Sequence, residues 1–269
     1  MQSEEIGQYY LRSIASDLMG WSDPQQKLAH AFLHDEFVLY GQSIVKLAPQ
    51  ANDRARTEIF VRLKEEEQNL IPPGTFLPIL EYHNLGPTLD RYVLRKALVW
   101  CSTNGPKPRC VIHINLCHGT LTDLDFPAFV VTELKATGLR GDGLCFEIPQ
   151  LNRPYGATTL EFVKKLKAAQ CHIAVGIVEA GNISFQPVKE LSADFVKVDG
   201  SLTRKIAADK GAVAKLRALT RACQAFRIQI IAQHVEDQRT LDILSKLGVD
   251  YAQGYGVSEH GPLETSARA

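Results

Sequence analysis

The chain of 269 residues has no net charge, because 30 lysines and arginines offset 30 aspartates and glutamates. Without an excess of either sign, no overall field attracts nucleic acid or an anionic membrane, and we expect neither as a partner. The sequence also lacks a run of about 18 apolar residues, which a membrane-spanning helix requires. Residues 1–6 lack the basic and apolar regions of a signal peptide, so we expect a cytoplasmic protein.

Cysteine pairs and glycine-rich motifs are missing as well. Of the six cysteines, none forms a Cys-x-x-Cys pair or has a histidine at zinc-finger spacing. Most lie in apolar runs, where a free thiol behaves as a small hydrophobic side chain, so we predict reduced, structural cysteines. No Gly-x-Gly-x-x-Gly follows a strand, which argues against the alternative of an open, doubly wound sheet.

What the sequence does contain is a regular alternation of strand and helix patterns. The first two strand patterns, 37–47 and 57–63, are predicted to form a hairpin or to be neighbours. Further strands are predicted at 111–116, 144–149, 172–178, 195–200, 229–235 and 251–255. Helices are predicted at 24–34, 76–85, 89–101, 126–137, 157–169, 185–191, 211–226 and 237–247. Eight strands that alternate with helices predict a closed α/β barrel of the (β/α)8 TIM type.

The first 23 residues are predicted to form a separate N-terminal helix and linker. The segment 5–19 is amphipathic, and the sequence from Trp21 to Pro24 ends it. Pro24 is well placed to begin the next helix. We expect one domain over residues 24–265, with the N-terminal helix packed on it or binding a partner. The helix also indicates that the chain is a fragment of a longer protein.

A polar residue stands near the C-terminal half of most predicted strands. One such residue alone is usually a buried group with satisfied hydrogen bonds, but several at matching depth predict a site at the barrel mouth. Carboxylates with a carboxamide are typical ligands of a divalent cation, and a lysine is typical of a base or a phosphate contact. The strand at 172–178 differs, because Gly176 and Ile177 stand where a ligand is expected. The six polar residues are Glu58, Asn115, Glu147, Lys197, Gln233 and Gln253.

From about Pro24 to Glu264 the chain resembles the EAL domain, the family of cyclic di-GMP phosphodiesterases. The order and spacing of eight motifs carry the resemblance. They are Phe37-Val-Leu-Tyr-Gly-Gln, Ile71-Pro-Pro-Gly-Thr-Phe-Leu-Pro, Leu89-Asp-Arg-Tyr-Val-Leu, Ile114-Asn-Leu, Phe146-Glu-Ile, Val196-Lys-Val-Asp-Gly-Ser, Ile231-Ala-Gln-His-Val-Glu and Gln253-Gly-Tyr.

The resemblance implies a barrel of the EAL type, with an antiparallel first strand, and it implies a reaction. Members of that family hydrolyse one phosphodiester of cyclic di-GMP with two magnesium or manganese ions. By the family's pattern, Glu58 is the signature glutamate, although Glu58-Ile-Phe60 replaces Glu-Ala-Leu. Asn115 and Glu147 match further metal ligands, and Lys197 matches the proposed base. Glu236 and Gln253 match other site residues.

Departures from the family's pattern concern the metal-binding residues. Gly176 and Ile177 replace a pair of aspartates, and Gln233 replaces a glutamate. Two neighbouring divalent cations need several anionic ligands, so we expect neither bound magnesium or manganese nor catalysis. The loop 179–184 has also lost its usual sequence. The resemblance thus implies a degenerate member that has no catalytic residue, metal or other cofactor.

More of the family's nucleotide-contact residues than of its metal ligands are present in this sequence, which favours a cyclic di-GMP receptor. The Glu-Ile-Phe triplet is similar to that of FimX-like degenerate EAL proteins, which work with a PilZ-type partner in type IV pilus assembly and twitching motility. The family's arginine after the 114–116 motif is missing, since Gly119 stands there. The ligand-binding residues implied are Gln42, Glu58, Phe60, Val61, Arg62, Asp90, Asn115, Glu147, Lys197, Val235, Glu236 and Gln253.

Other interpretations of the same residues remain open. One alternative is a protein-interaction module that no longer binds nucleotide. The other is a slow phosphodiesterase with one metal on Glu58, Asn115 and Glu147. Each proposed ligand contact also has a structural interpretation. Arg62 could be an exposed surface residue, Asp90 could belong to a helix cap, and Glu236 could cap the helix that follows it.

Overall fold

The computed structural model describes residues 21–51, 53–65, 70–103, 110–149, 154–177 and 186–263. The predicted amphipathic segment 5–19 and the loop 179–184 lie outside these residues. Nine α-helices lie in the described ranges: α1 Pro24–Leu33, α2 Pro73–Tyr82, α3 Gly86–Thr103, α4 Phe126–Thr137, α5 Ala157–Ala168, α6 Gln186–Glu190, α7 Gly200–Thr203, α8 Lys210–Ala225 and α9 Gln238–Leu247. Two short 3₁₀ helices, His118–Thr122 and Gly141–Gly143, lie before and after α4.

Eight strands close into a barrel. They are β1 Phe37–Lys46, β2 Ala55–Lys64, β4 Cys110–Asn115, β5 Leu144–Ile148, β6 His172–Ile177, β7 Phe195–Val198, β8 Gln229–Ala232 and β9 Tyr251–Ala252. In the order β2, β4, β5, β6, β7, β8 and β9, each strand is parallel to the next. The first strand, β1, is antiparallel to both β2 and β9 and closes the ring. The predictions of a closed barrel and of an antiparallel first strand are therefore confirmed.

The core has two parts because strand residues alternate between the two faces of the sheet. Inside the barrel, seven buried side chains form a small cluster: Ile44, Val111, Cys145, Ala174, Phe195, Ile231 and Tyr251. A larger cluster fills the layer between the outer face of the barrel and the helices, and it includes Phe126, Phe146 and Phe162. The upper part of the barrel interior is thus left for the polar residues of the strand ends.

Helix ends follow local sequence signals. Asp23, Asp209 and Asp237 each accept a hydrogen bond from a backbone amide in the first turn of α1, α8 and α9. Gly138 and Gly248 end α4 and α9 in the left-handed conformation that a residue without Cβ adopts easily. These aspartates and glycines thus set where the helices begin and end.

Most predicted elements are present with similar bounds, and α4 has the predicted bounds. The strand predicted at 195–200 ends earlier, at Val198, because Asp199 caps α7 through a bond from the amide of Ser201. Two short strands were not predicted: β3 Leu70–Ile71, which pairs with β2, and β10 Gly261–Pro262, which pairs with β1. All six cysteines are free, as predicted. No helix in the described ranges is long and apolar enough to cross a bilayer.

Candidate functional site

The polar residues of the strand ends meet at the C-terminal end of the barrel. The register pairs Asn115 on β4 with Glu147 on β5, and Gln42 on β1 with Glu58 on β2. Lys197 lies on β7, and Gln253 follows β9. Because parallel strands end at the same edge of the sheet, five of these side chains lie around one point, and the antiparallel β1 adds Gln42 beside Glu58.

Lys197 is the centre of this cluster. Its side chain is fully buried, and Nζ lies 2.7 Å from Oε2 of Glu58 and 2.7 Å from Oε2 of Glu147. A buried ammonium is costly unless charged or polar partners surround it, and the two carboxylates are those partners. Lys197 therefore bridges β2 and β5 across the barrel.

Glu58 is the most fully bonded carboxylate of the cluster. Besides Lys197, Nδ2 of Asn115 donates to its Oε1 at 2.8 Å, and Nε2 of Gln253 donates to its Oε2 at 2.6 Å. Nε2 of Gln253 also lies 3.1 Å from Oε1 of Gln42, whose Nε2 donates to the carbonyl of Ser258 at 2.8 Å. The carboxamides of Asn115 and Gln253 thus each bond one oxygen of Glu58.

Gly254 makes this position of Gln253 possible. Its φ is +150°, and a Cβ there would lie 2.3 Å from the backbone nitrogen and oxygen of Val235. The amide of Val235 donates to the carbonyl of Gln253 at 2.9 Å, so the two chain segments lie side by side. Only glycine permits so close an approach.

The pKa values of the two glutamates move in opposite directions. Burial alone would raise the pKa of Glu58, but the charge of Lys197 and three hydrogen bonds outweigh it and lower the pKa. Burial raises the pKa of Glu147 to about 7, and the charge of Glu58 adds to this effect while Lys197 opposes it. Burial also opposes ionisation of Lys197, yet both carboxylates together raise its pKa. One ammonium cannot fully neutralise two carboxylates, so Glu147, which accepts fewer hydrogen bonds than Glu58, is the one whose pKa is raised.

Above the cluster lies a cavity of about 550 Å³. This volume is within the range of small-ligand pockets, about 300–1,000 Å³. The side chains of α2, α3 and the loop after β4 form the wall opposite the strand ends. Six of the predicted ligand-binding residues line the cavity, together with Gln233: Glu58, Phe60, Val61, Asp90, Asn115 and Glu147.

Asp90 is fixed in that wall. Its Oδ2 accepts hydrogen bonds from the amide of Cys117 at 2.8 Å and from Oγ1 of Thr120 at 2.6 Å, and only 2% of the residue is exposed. Burial raises the pKa of Asp90 to about 7, which the two bonds oppose and the charge of Glu81 favours. Asp90 is inside α3 rather than at its N-cap, and it holds the 3₁₀ helix after β4 in place.

The remaining predicted residues do not line the cavity. Gln42, Lys197 and Gln253 lie beneath Glu58. The guanidinium of Arg62 lies 6.0 Å from the ring of Tyr40. Val235 is fully buried, and its amide and carbonyl bond to Gln253 and Gly256. The Glu236 side chain is 59% exposed and 3.9 Å from Arg204, and Asp237 rather than Glu236 caps α9.

The donor set does not fit a pair of divalent cations. In the described part of the chain, no group of three or more His, Cys, Asp or Glu side chains could hold a metal ion. The register pairs Gly176 with Lys197, so the strand beside the lysine offers no ligand at that position. The two carboxylates that remain already bind the ammonium of Lys197.

Among the cavity-lining residues that were not predicted from the sequence, two carry polar side chains able to bind a ligand, namely Glu81 and His118. Glu81 lies on the same face of α2 as Gly74, Leu77 and Pro78, which all line the cavity and precede it by seven, four and three positions. That helical spacing was a usable signal. His118 follows β4 in the 3₁₀ helix, and no pattern in the sequence indicates its direction.

A model of the EAL domain matches residues 25–260 of the chain. Among characterised relatives, the chain is 28% identical over 243 residues to the cyclic di-GMP phosphodiesterase PdeB of Shewanella oneidensis. The match covers 88% of this chain but only 28% of PdeB. The chain thus spans less than a third of the length of that relative.

Solved structures share the fold. The EAL enzyme Bd1971, with cAMP and cyclic di-GMP bound, matches with a TM-score of 0.81 and 21% identity, over 90% of this chain and 67% of that one. The FimX EAL domain of Xanthomonas citri in complex with cyclic di-GMP matches with a TM-score of 0.78 and 22% identity. That match covers 97% of both chains.

Proposed function

Because this chain belongs to the EAL domain family, we propose that it binds cyclic di-GMP in the cavity at the barrel mouth and does not hydrolyse it. The observation that carries the proposal is the position of Lys197. Its ammonium lies 2.7 Å from both carboxylates that remain of the family's metal ligands. A site neutralised in this way supports ligand binding better than it supports metal binding.

The cavity offers the contacts that such a nucleotide needs. Phe60 and Val61 provide an apolar wall, on which a guanine ring can stack, and Asn115 provides an exposed carboxamide. Asp90 provides an acceptor for the N–H groups of guanine. Of the predicted residues that do not line the cavity, Arg62 favours the anionic phosphates through its charge and Glu236 offers an acceptor for guanine N–H groups. Lys197 contributes indirectly, by holding Glu58 and Glu147 in place.

Calorimetry with purified protein tests the proposal. We expect saturable binding of one cyclic di-GMP in the presence of EDTA, and an affinity about 5–100-fold lower for Phe60→Ala, since one lost base–aromatic contact costs about 1–3 kcal/mol. Phe226→Ala, which removes a half-exposed aromatic ring elsewhere, should bind normally. No heat at high micromolar ligand would refute the receptor and favour a protein-interaction module.

The names of the relatives favour a second candidate, a slow metal-dependent phosphodiesterase. Glu58, Asn115 and Glu147 do lie together at the mouth. Release of linear pGpG in the presence of magnesium or manganese, abolished by Glu58→Gln, would establish this activity. Absence of product at enzyme concentrations equal to substrate would exclude it.

The receptor passes its signal to a protein partner. A PilZ-type domain is the partner that the similarity to FimX-like proteins favours, with twitching motility or biofilm control as the process. Binding of a purified PilZ-domain protein is expected to depend on cyclic di-GMP. Equal binding with and without the nucleotide would remove the relay from the proposal.

A further inference from the structure

Glu81 and His118 form a polar pair on the cavity wall that has no role in the family resemblance set out above. Oε1 of Glu81 accepts a bond from the amide of His118 at 3.0 Å and lies 3.2 Å from Nδ1 of the same residue. Both residues line the cavity, and their side chains are 37% and 53% exposed. The pair is therefore fixed in position and accessible to a ligand.

The second oxygen of Glu81 is available. Within the ranges that the structure describes, the donors to Glu81 all reach Oε1, and none reaches Oε2. An ionised carboxylate is purely an acceptor, with about two lone-pair sites on each oxygen. Oε2 can thus accept two hydrogen bonds from a molecule in the cavity.

The same wall fixes the loop that carries His118. Asp90 accepts bonds from the amide of Cys117 and the hydroxyl of Thr120, on either side of His118. Glu81 fixes the amide of His118 itself. Cys117, His118 and Thr120 thus each donate one hydrogen bond to Asp90 or Glu81, and these bonds fix the loop. The contact of Nδ1 with Glu81 then keeps the His118 ring beside that carboxylate.

We propose that Glu81, positioned by His118, reads the Watson–Crick edge of one guanine of cyclic di-GMP; this inference rests on the proposed function. Guanine presents two adjacent donors, N1–H and the N2 amino group, which a carboxylate accepts together. Adenine offers one donor there and places an acceptor nitrogen beside it. Glu81 thus selects guanine, while Phe60, which also lines the cavity, contacts the ring face without regard to its edge.

A double cycle of ligand and protein changes tests this inference. The probes are cyclic di-GMP and cyclic di-IMP, which lacks only the N2 amino groups, and the variant is Glu81→Gln. The glutamine retains a carbonyl oxygen for the amide of His118, so the loop stays in place. We expect the wild-type preference for cyclic di-GMP over cyclic di-IMP to shrink about tenfold in the variant, as for one lost carboxylate–base pair.

Two further variants complete the design. Glu161→Gln, which alters an exposed carboxylate on α5 paired with Lys165, should leave both affinities unchanged. His118→Ala removes the ring but keeps the backbone bond to Glu81. We expect a smaller loss of preference there, and circular dichroism should show an unchanged fold.

The outcomes separate this inference from the function on which it rests. If the wild type binds neither dinucleotide, the receptor itself is refuted, and this inference with it. If the wild type binds but Glu81→Gln keeps the full preference, Glu81 does not read the base and the receptor stands. Equal weakening of both dinucleotides would mean that Glu81 supports only the fold of the wall, which also overturns the inference.

Discussion

Lys197 matches the family's proposed base, but in this structure it forms buried ion pairs that support the fold. It is the charged side chain buried most deeply in the barrel, and its partners Glu58 and Glu147 come from two other strands. Removing one member of a buried ion pair leaves the other charges without compensation, and this costs far more than the intact pair contributes. The role of the lysine is thus visible in the stability of the protein.

We expect Lys197→Ala to lower the free energy of unfolding by about 3–5 kcal/mol, because two carboxylates lose their cation in a buried position. Urea denaturation at neutral pH measures the change. Lys165→Ala, which removes an exposed pair with Glu161, is the matched control and should cost less than about 0.5 kcal/mol. Similar stability of the two variants would contradict the structural role of Lys197.

Asp90 gives a prediction about pH. Its pKa rises from 3.8 to about 7 on folding, so between these values the folded protein holds a proton that the unfolded chain has released. The free energy of unfolding therefore falls as the pH rises through this window, by up to about 1.4 kcal/mol per pH unit. Asp90→Asn removes this contribution, because an amide does not titrate there.

The difference in stability between wild type and Asp90→Asn, measured by denaturation from pH 4 to pH 8, isolates the effect. Glu147 changes stability with the same sign, but it is present in both proteins and cancels. Asp242→Asn, at an exposed position of α9, serves as the control. A difference that stays constant across the window would show that Asp90 is ionised throughout.

At the scale of the element, β6 carries the departures from the family's pattern on which the proposed lack of metal binding rests. It ends at Gly176 and Ile177, and Gly176 pairs with Lys197 on β7. A Cβ built at Gly176 has no atom within 4 Å, so the position accepts a side chain without a clash. The strand is present and correctly placed, and what it lacks is ligands.

Restoring those ligands should restore metal binding. We expect Gly176→Asp with Ile177→Asp and Gln233→Glu to bind manganese at least about tenfold more tightly than the wild type, because carboxylates supply the anionic ligands of such ions. Titration with Mn²⁺ followed by electron paramagnetic resonance gives the affinity. Gly156→Asp, also in open space, is the control. No gain in affinity would show that more than the ligands has changed.

At the scale of the whole molecule, the absence of net charge and the cavity at the barrel mouth predict a selective response to ligands. A ligand that binds only the folded state raises the free energy of unfolding by about 2.7 kcal/mol at 100 times its dissociation constant. We expect cyclic di-GMP to raise the midpoint of thermal unfolding with EDTA present. Duplex DNA at the same phosphate concentration should leave it unchanged, and stabilisation by both would indicate charge-driven binding.

The closed barrel could be predicted from the sequence because its signals are local. Alternation of apolar residues predicts the strands, and helical periodicity predicts the segments between them. For α4 the predicted bounds, 126–137, match the structure. The strands β3 and β10 have two residues each, and their pairing with β2 and β1 depends on contacts between distant segments. The early end of β7 depends on a cap at Asp199.

The site divides in the same way. Glu58, Asn115, Glu147, Lys197 and Gln253 could be placed together because parallel strands end at one edge. Arg62 and Glu236 could not be placed, since alternation gives the face of a strand but not how far a side chain reaches. Glu81 was missed because its helix was not read as a wall of the cavity.

The buried bridge of Lys197, Glu58 and Glu147 has an evolutionary consequence. On the function proposed above, a chain without catalysis still needs these three residues, because together they balance the charges buried in the barrel. Gly176 and Ile177, where the family has aspartates, take no part in that bridge. A signature glutamate such as Glu58 then serves the fold as well as the site, and positions outside the bridge are the better guide to which members of the family are enzymes.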